Sequence, residues 1–329
     1  MMLAEQDLAF YYLLGVLLIG FPLNLITFIR LQLINNNSGG ASHYFLLKKN
    51  LTFVDILIIL GFVGSRLATA VDSQLITIPT ICRAAPLAVS LSFYASSYMV
   101  STISILRARE VHSIDSSNGR KLAQARWCVL TVWVLAIATS LPQLFLYTVV
   151  QTDQNATLRC TNVWIARRIA ANWTAPQLDF WEGLYYGYHL LCVFWIPALV
   201  MVSSYSVVVS VSLLRARRLK LRRKPSTIKR QGPSRHRKVT AASALVVVSY
   251  LACWTPYNLV SLIDTGSSAL HSLHYLIALP TLINPLIYRI KVTGSGRKNT
   301  RSSVTSGRQP SRQSTFKRSS IHAKPVLPI

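Results

Sequence analysis

The chain has 329 residues, of which 51% are hydrophobic and only 14% charged. Soluble domains carry about 25% charge, so this composition excludes an ordinary soluble class and points to a membrane protein. A net charge of +25 would suit nucleic acid on a soluble protein. Here Lys and Arg instead crowd into two segments beside apolar runs, as the positive-inside rule and contact with anionic inner-leaflet lipid require.

Seven apolar runs approach the roughly 20 residues that cross a bilayer. They predict an all-α, seven-transmembrane helix bundle. The spans fall at Leu8–Ile29, Phe45–Ala70, Pro79–Ile105, Ala125–Val150, Leu184–Leu213, Val239–Ile263 and Leu270–Ile290. Residues 1–7 are then a short extracellular N-terminus, 8–290 the seven-span domain and 291–329 a disordered, basic cytoplasmic tail.

The first run follows Glu5 and Asp7, lacks a basic flank and is too long for a signal-peptide core. The second carries Asp55 at mid-depth. The third is rich in Ser (Ser90, Ser92, Ser96, Ser97, Ser101, Ser104), which suits a helix surrounded by other helices. Between the fourth and fifth lie two glycosylation sequons, at Asn155 and Asn172. Two more, at Asn36 and Asn50, fall on the inner side or in a span and are discounted. The fifth, sixth and seventh runs contain Pro197, Pro256 and Pro285, each deep enough to kink its helix.

Orientation follows from charge. Arg215–Lys238 contains twelve Lys or Arg and no acid, and the tail after Tyr288 is equally one-sided. Both are expected to be cytoplasmic, which puts the N-terminus outside. The basic loop suits either an acidic protein surface or anionic lipid. Ser302, Ser303, Thr305, Ser311 and Ser314 in the tail are either phosphorylation sites or simply a solvated segment. Of five cysteines, Cys128, Cys192 and Cys253 lie mid-run, while Cys82 and Cys160 lie near span ends on the outer, oxidising side.

An ionisable residue inside a membrane is a functional candidate by default. Asp55, with Asn24 and Asn284 on the first and seventh spans, reads either as a polar knot pinning three helices or as a sodium or proton site. Arg66, three turns outward from Asp55 on the same helix face, either meets a ligand carboxylate or peptide group, or snorkels to the headgroups or pairs with Asp72 or Asp264.

Taken together the chain resembles a class A, rhodopsin-like G-protein-coupled receptor. The matches are Gly20-x-Pro-x-Asn24, Leu51-x-x-x-Asp55, Cys82, Trp133, Pro197 with Tyr205, Cys253-Trp-Thr-Pro-Tyr257 and Asn284-Pro285-x-x-Tyr288. No single match is specific; their order, one per span, is. Shorter stretches at Leu46–Thr52, Pro142–Leu144 and Cys253–Tyr257 are similar to receptors for gonadotropin-releasing hormone, adipokinetic hormone and vasopressin-type peptides.

The resemblance implies an extracellular ligand, a short neuropeptide, and a heterotrimeric G protein of Gq class. It implies a Cys82–Cys160 disulfide, an aromatic toggle at Trp254, and Arg107 at the inner end of the third span. It implies that Tyr205 and Tyr288 swing toward Arg107, and that Asp55, Ser96 and Asn284 line a sodium site, with Asn24 packed beside it. Gln143 and Tyr257, and more weakly Phe93, are implied as ligand contacts beside Arg66.

The sequence departs from the pattern in three places. The acidic residue before the third-span arginine is Leu106, and no acid opens the sixth span; Arg107 therefore lacks both usual partners unless Glu110, one turn on, substitutes. Raised basal activity or loss of coupling would follow. After Tyr288 the segment has two glycines and no cysteine, so any eighth helix is weak. Val89 stands where amine receptors place an aspartate, which disfavours an amine ligand.

A transporter would want internal repeats, which are missing. An intramembrane enzyme would want a nucleophile–base set. Asp55 is alone at mid-depth, and His189 and His274 lack such a set, so neither catalysis nor a protein-bound metal is expected. A chemosensory receptor for a non-peptide ligand is the alternative.

Overall fold

The computed structural model describes residues 2–37, 43–72, 74–112, 117–152, 157–170, 175–222, 235–263 and 268–292. The sequons at Asn155 and Asn172, Asp264, the loop after Arg222 and the serine-rich tail lie outside these. Among the described residues, six helices are long and apolar enough to cross a membrane: Asp7–Ile34, His43–Val71, Pro79–His112, Gly119–Leu146, Pro176–Arg218 and Val239–Ile263. The seventh run is divided into Ser268–Tyr275, a 3-10 turn at Leu276–Ala278, and Pro280–Val292. Pro280 offers no N–H, so the α-helical ladder cannot run through it. The seven segments form one all-α bundle.

The third span is its axis. Of its most apolar stretch 72% is buried, against 28% for the first, fourth and fifth. Its serines are satisfied locally: Ser97, Ser101 and Ser104 each donate to the carbonyl one turn back, at 2.9–3.0 Å. Hydroxyls that back-bond in this way let neighbouring helices pack close without stranding a polar group.

The fourth span ends earlier than expected, at Leu146. Tyr147–Thr152, assigned from sequence partly to that span, is a β-strand (β1) paired antiparallel with Thr157–Asn162 (β2), Val149 opposite Cys160. Thr148, Val149 and Val150 favour a strand once Pro142 has broken the helical ladder. A disulfide joins Cys160 on β2 to Cys82 at the start of the third span, with Cα atoms 5.6 Å apart. The fifth helix begins at Ala175, ahead of the expected Leu184, and residues 2–7 are already helical.

Three π-helical turns interrupt the spans, at Val16–Gly20, Ile59–Val63 and Leu191–Trp195. Two have a cause in sequence. Pro22 and Pro197 lack the N–H that would bond Leu18 and Val193, and each orphaned carbonyl falls inside a π turn. The turn at Ile59–Val63 overturns one expectation. It inserts an extra residue between Asp55 and Arg66, so the two are offset by roughly a quarter turn and do not share a face. Asp55 is buried, whereas Arg66 is exposed.

Candidate ligand cavity and conformational switch

At the hairpin end the bundle opens into a cavity of about 920 Å³. Spans two, three, five, six and seven and the hairpin all line it. Arg66, Gln143, Tyr257 and Phe93, selected from sequence, are on its wall, as is the amine-disfavouring Val89. Trp254 is not; it lies one ring away, against Phe93.

The charges in this cavity are uneven. Arg168 is held by Asp179 at 2.7 Å and Glu182 at 2.6 Å, and these two hydrogen bonds raise its already high pKa. That consumes both lining acids. Arg66 has no described carboxylate within salt-bridge distance. Asp72, one of its expected partners, accepts from the Gln74 backbone instead, at 2.8 Å. The Arg66 guanidinium sits 5.8 Å over the Phe62 ring. Burial pushes the Tyr147 hydroxyl pKa up, and the Arg66 charge works against that shift. Gln143 is buried and donates to the Tyr185 hydroxyl at 2.6 Å.

A run of rings leads from the cavity into the core. Tyr257 stacks on His274 with centroids 4.7 Å apart. His274 meets Phe62 edge-on at 4.9 Å, and Phe62 meets Phe93 at 5.2 Å. Phe93 meets Trp254 edge-on at 5.2 Å, and Trp254 stacks on Tyr250 at 5.0 Å. The chain ends in hydrogen bonds. Tyr250 donates to the Val193 carbonyl at 3.2 Å, the group orphaned by Pro197, and its hydroxyl also meets Ser97 Oγ at 2.5 Å. One buried tyrosine therefore fastens spans three, five and six around a proline kink, satisfying the carbonyl as a membrane interior demands. Sequence reasoning missed Phe62, His274 and Tyr250. The four-residue spacing of Tyr250 and Trp254, which puts both on one helix face, was the available signal.

At mid-depth Asn284 donates to both Asp55 oxygens, at 3.1 and 3.3 Å. Asn24 does not reach that carboxylate. It donates to the carbonyls of Gly20 at 2.9 Å and Thr281 at 2.8 Å, tying the first span to the seventh. Ser96 is buried and makes no hydrogen bond to Asp55. Trp133 donates to Asn50 at 3.3 Å, joining the second and fourth spans.

At the opposite end Arg107 is almost wholly buried, and its Nη1 donates to Glu110 at 2.6 Å. The other Glu110 oxygen meets His43 Nε2 at 2.5 Å, and the Tyr44 hydroxyl donates to Glu110 at 2.8 Å. The Arg107 guanidinium lies 3.9 Å over the Tyr44 ring. Tyr205 and Tyr288 are not hydrogen-bonded to Arg107; Lys48 sits 5.0 Å over the Tyr288 ring. Arg215 donates to the Val111 carbonyl at 2.5 Å, holding the fifth span against the third.

Residues 11–288 match the family described as 7 transmembrane receptor (rhodopsin family). The chain is 24% identical to the G-protein coupled receptor daf-38 of Caenorhabditis elegans, over 85% of this chain and 89% of that protein. It is 26% identical to probable G-protein coupled receptor 33 of Rattus rattus, covering 63% of this chain and 59% of that one. The substance-K receptor of Mus musculus is 27% identical over 49% of this chain and 41% of its own length. The chain thus spans less than two thirds of the latter two relatives.

Proposed function

The chain belongs to the rhodopsin family of seven-transmembrane receptors, and from that membership we propose that it binds a ligand at the hairpin end and signals to a heterotrimeric G protein at the Arg107 end. The family is one of multi-pass membrane receptors, not enzymes. We place the hairpin end outside the cell and the basic loop inside, at the plasma membrane, on the lysine and arginine distribution. The observation that carries the reading is the aromatic run from Tyr257 to Tyr250. It connects the cavity to the kink at Pro197, so a ligand that shifts the first ring bears on the packing of three spans.

The ligand we propose is a short peptide that brings an acidic group. The cavity is large, its own acids are engaged by Arg168, and Arg66 is left facing the space among aromatic rings. A guanidinium in that setting suits a carboxylate held by paired hydrogen bonds. The stretches similar to gonadotropin-releasing hormone, adipokinetic hormone and vasopressin-type receptors favour a peptide and a Gq-class partner. Substance-K receptors among the relatives favour a peptide too. The ligand-binding set is Arg66, Gln143 and Tyr257, with Trp254 acting through Phe93. The activation set is Arg107, Tyr205, Trp254, Asn284, Pro285 and Tyr288.

We also propose a sodium ion at Asp55. A fully buried carboxylate with one amide partner is under-compensated and takes up a proton or a small cation. Ser96 and Asn284 are the nearby polar groups the family resemblance assigns to it. When Na⁺ stands tenfold above its Kd it stabilises the fold by about 1.4 kcal/mol. The wild type is therefore expected to melt higher in sodium chloride than in choline chloride at equal ionic strength, and Asp55→Asn to erase the difference.

The test of the receptor reading is expression in cells with calcium release and cyclic-nucleotide output recorded. It is run without ligand, then with short peptides in free-acid and amidated forms, then with small organic acids. A peptide response supports the full reading. A response to small acids alone turns it toward a chemosensory receptor. Silence in every channel, with surface display verified, counts against it.

A further inference from the structure

We infer that Glu110 is the positioning residue of Arg107, a resting-state latch moved one helical turn along the third span and fastened to the second span instead of the sixth. The inference rests on the receptor reading. It says where the resting state is held and which helices must part to release it.

The position before Arg107 is Leu106, so the neighbouring acid is missing. The sixth span, Val239–Ile263, contains no acid at all. An i,i+3 pair exposed at a helix surface would contribute little. This pair is not exposed: the side chains of Arg107 and Glu110 retain 5% and 11% of their accessibility. A carboxylate in such a place is tolerable only with a cation and several donors around it. Glu110 has them from Arg107, His43 and Tyr44.

Tyr44 makes the arrangement a clamp. Its hydroxyl holds the carboxylate while its ring covers the guanidinium, so one second-span side chain fixes both halves of the ion pair. His43, tilted against Tyr44 with ring centroids 3.9 Å apart, fixes the other oxygen. Among the described residues the other charges at this end are cations, Lys48 over Tyr288 and Arg215 on the Val111 carbonyl among them. Without Glu110, Arg107 would be a buried cation among other cations and would leave for solvent or for a partner at that end. Glu110 therefore sets the ligand-free balance between a retracted and a released Arg107.

The experiment uses the full chain at matched surface density. Ligand-free G-protein activation is measured in cells, and hydrogen–deuterium exchange is measured on the purified receptor in nanodiscs. Glu110→Gln keeps the shape and removes the charge; it is expected to raise ligand-free activation about tenfold, and Tyr44→Phe roughly threefold. Exchange should rise in segments 43–50 and 105–112. Leu106→Asp placed in the Glu110→Gln background restores an acid beside Arg107 and should return both readouts to near wild type. A group that merely fills space would not be rescued from another position. Faster exchange with no signalling would keep the latch and sink the receptor reading. Unchanged exchange in Glu110→Gln, or no rescue by Leu106→Asp, would overturn the latch whatever the signalling.

Discussion

The two ends of the bundle treat charge in opposite ways. At the hairpin end Asp179 and Glu182 are spent on Arg168, and Arg66 is left over a Phe ring facing a large cavity. At the other end one carboxylate collects an arginine, a histidine and a tyrosine. The difference follows from what each end must do. A binding site keeps a polar group unsatisfied so that the ligand completes it. A switch pairs its charges in one state so that leaving that state has a cost.

That contrast can be broken at several points. The largest effect is expected from unpinning the hairpin. Cys82→Ser opens a long covalent loop and should cost about 4 kcal/mol, seen as a large fall in melting temperature and in surface display. Arg66→Ala should weaken binding of an acid-bearing ligand by about 10- to 100-fold, measured by radioligand or fluorescent-ligand displacement, while the melting temperature stays put. An equal loss for the amidated and free-acid forms would remove the carboxylate from the argument. Tyr250→Phe strands the Val193 carbonyl and should destabilise by about 1–2 kcal/mol in thermal unfolding. A smaller loss would mean that Ser97 or water takes over. The smallest effect is the most discriminating. Leu106→Asp in the otherwise wild-type chain should change ligand-free output by no more than ~twofold, because Glu110 already neutralises Arg107.

Much of the fold was legible because membrane helices announce themselves through long apolar runs, and because one marked polar or proline residue fell in each. Boundaries were less legible. The run through Leu146–Val150 is apolar whether it is the end of a helix or a strand, and only pairing with Thr157–Asn162, around Cys160, decides it. The seventh span was legible as a run but not as three pieces. In the site, Arg66 was selected because a charge in a span demands a reason, and Gln143 and Tyr257 because the resemblance to peptide receptors implies them; all three lie on the cavity wall. Phe62 and His274 were not selected, because a ring in an apolar segment looks like core until its partners are known. The same holds for His43. It lies 67 residues from Glu110, the acid that the sequence offered as a substitute partner for Arg107, and does not stand out until the second and third spans lie side by side.

The π turn at Ile59–Val63 also changes how this chain can be compared with its relatives. A helix face is a reading frame with a period of 3.6 residues, and one extra residue is a frameshift. Counting outward from Asp55, equivalences drawn with a straight second helix slip by one position beyond Val63. Arg66 then takes the place in space that its neighbour in sequence has in such a relative. Cavity positions on this span are therefore to be matched from the hairpin end inward, with Arg66 as the anchor. Removing one residue from within the turn would straighten the helix and leave Arg66 facing the same cavity, one position earlier in the count.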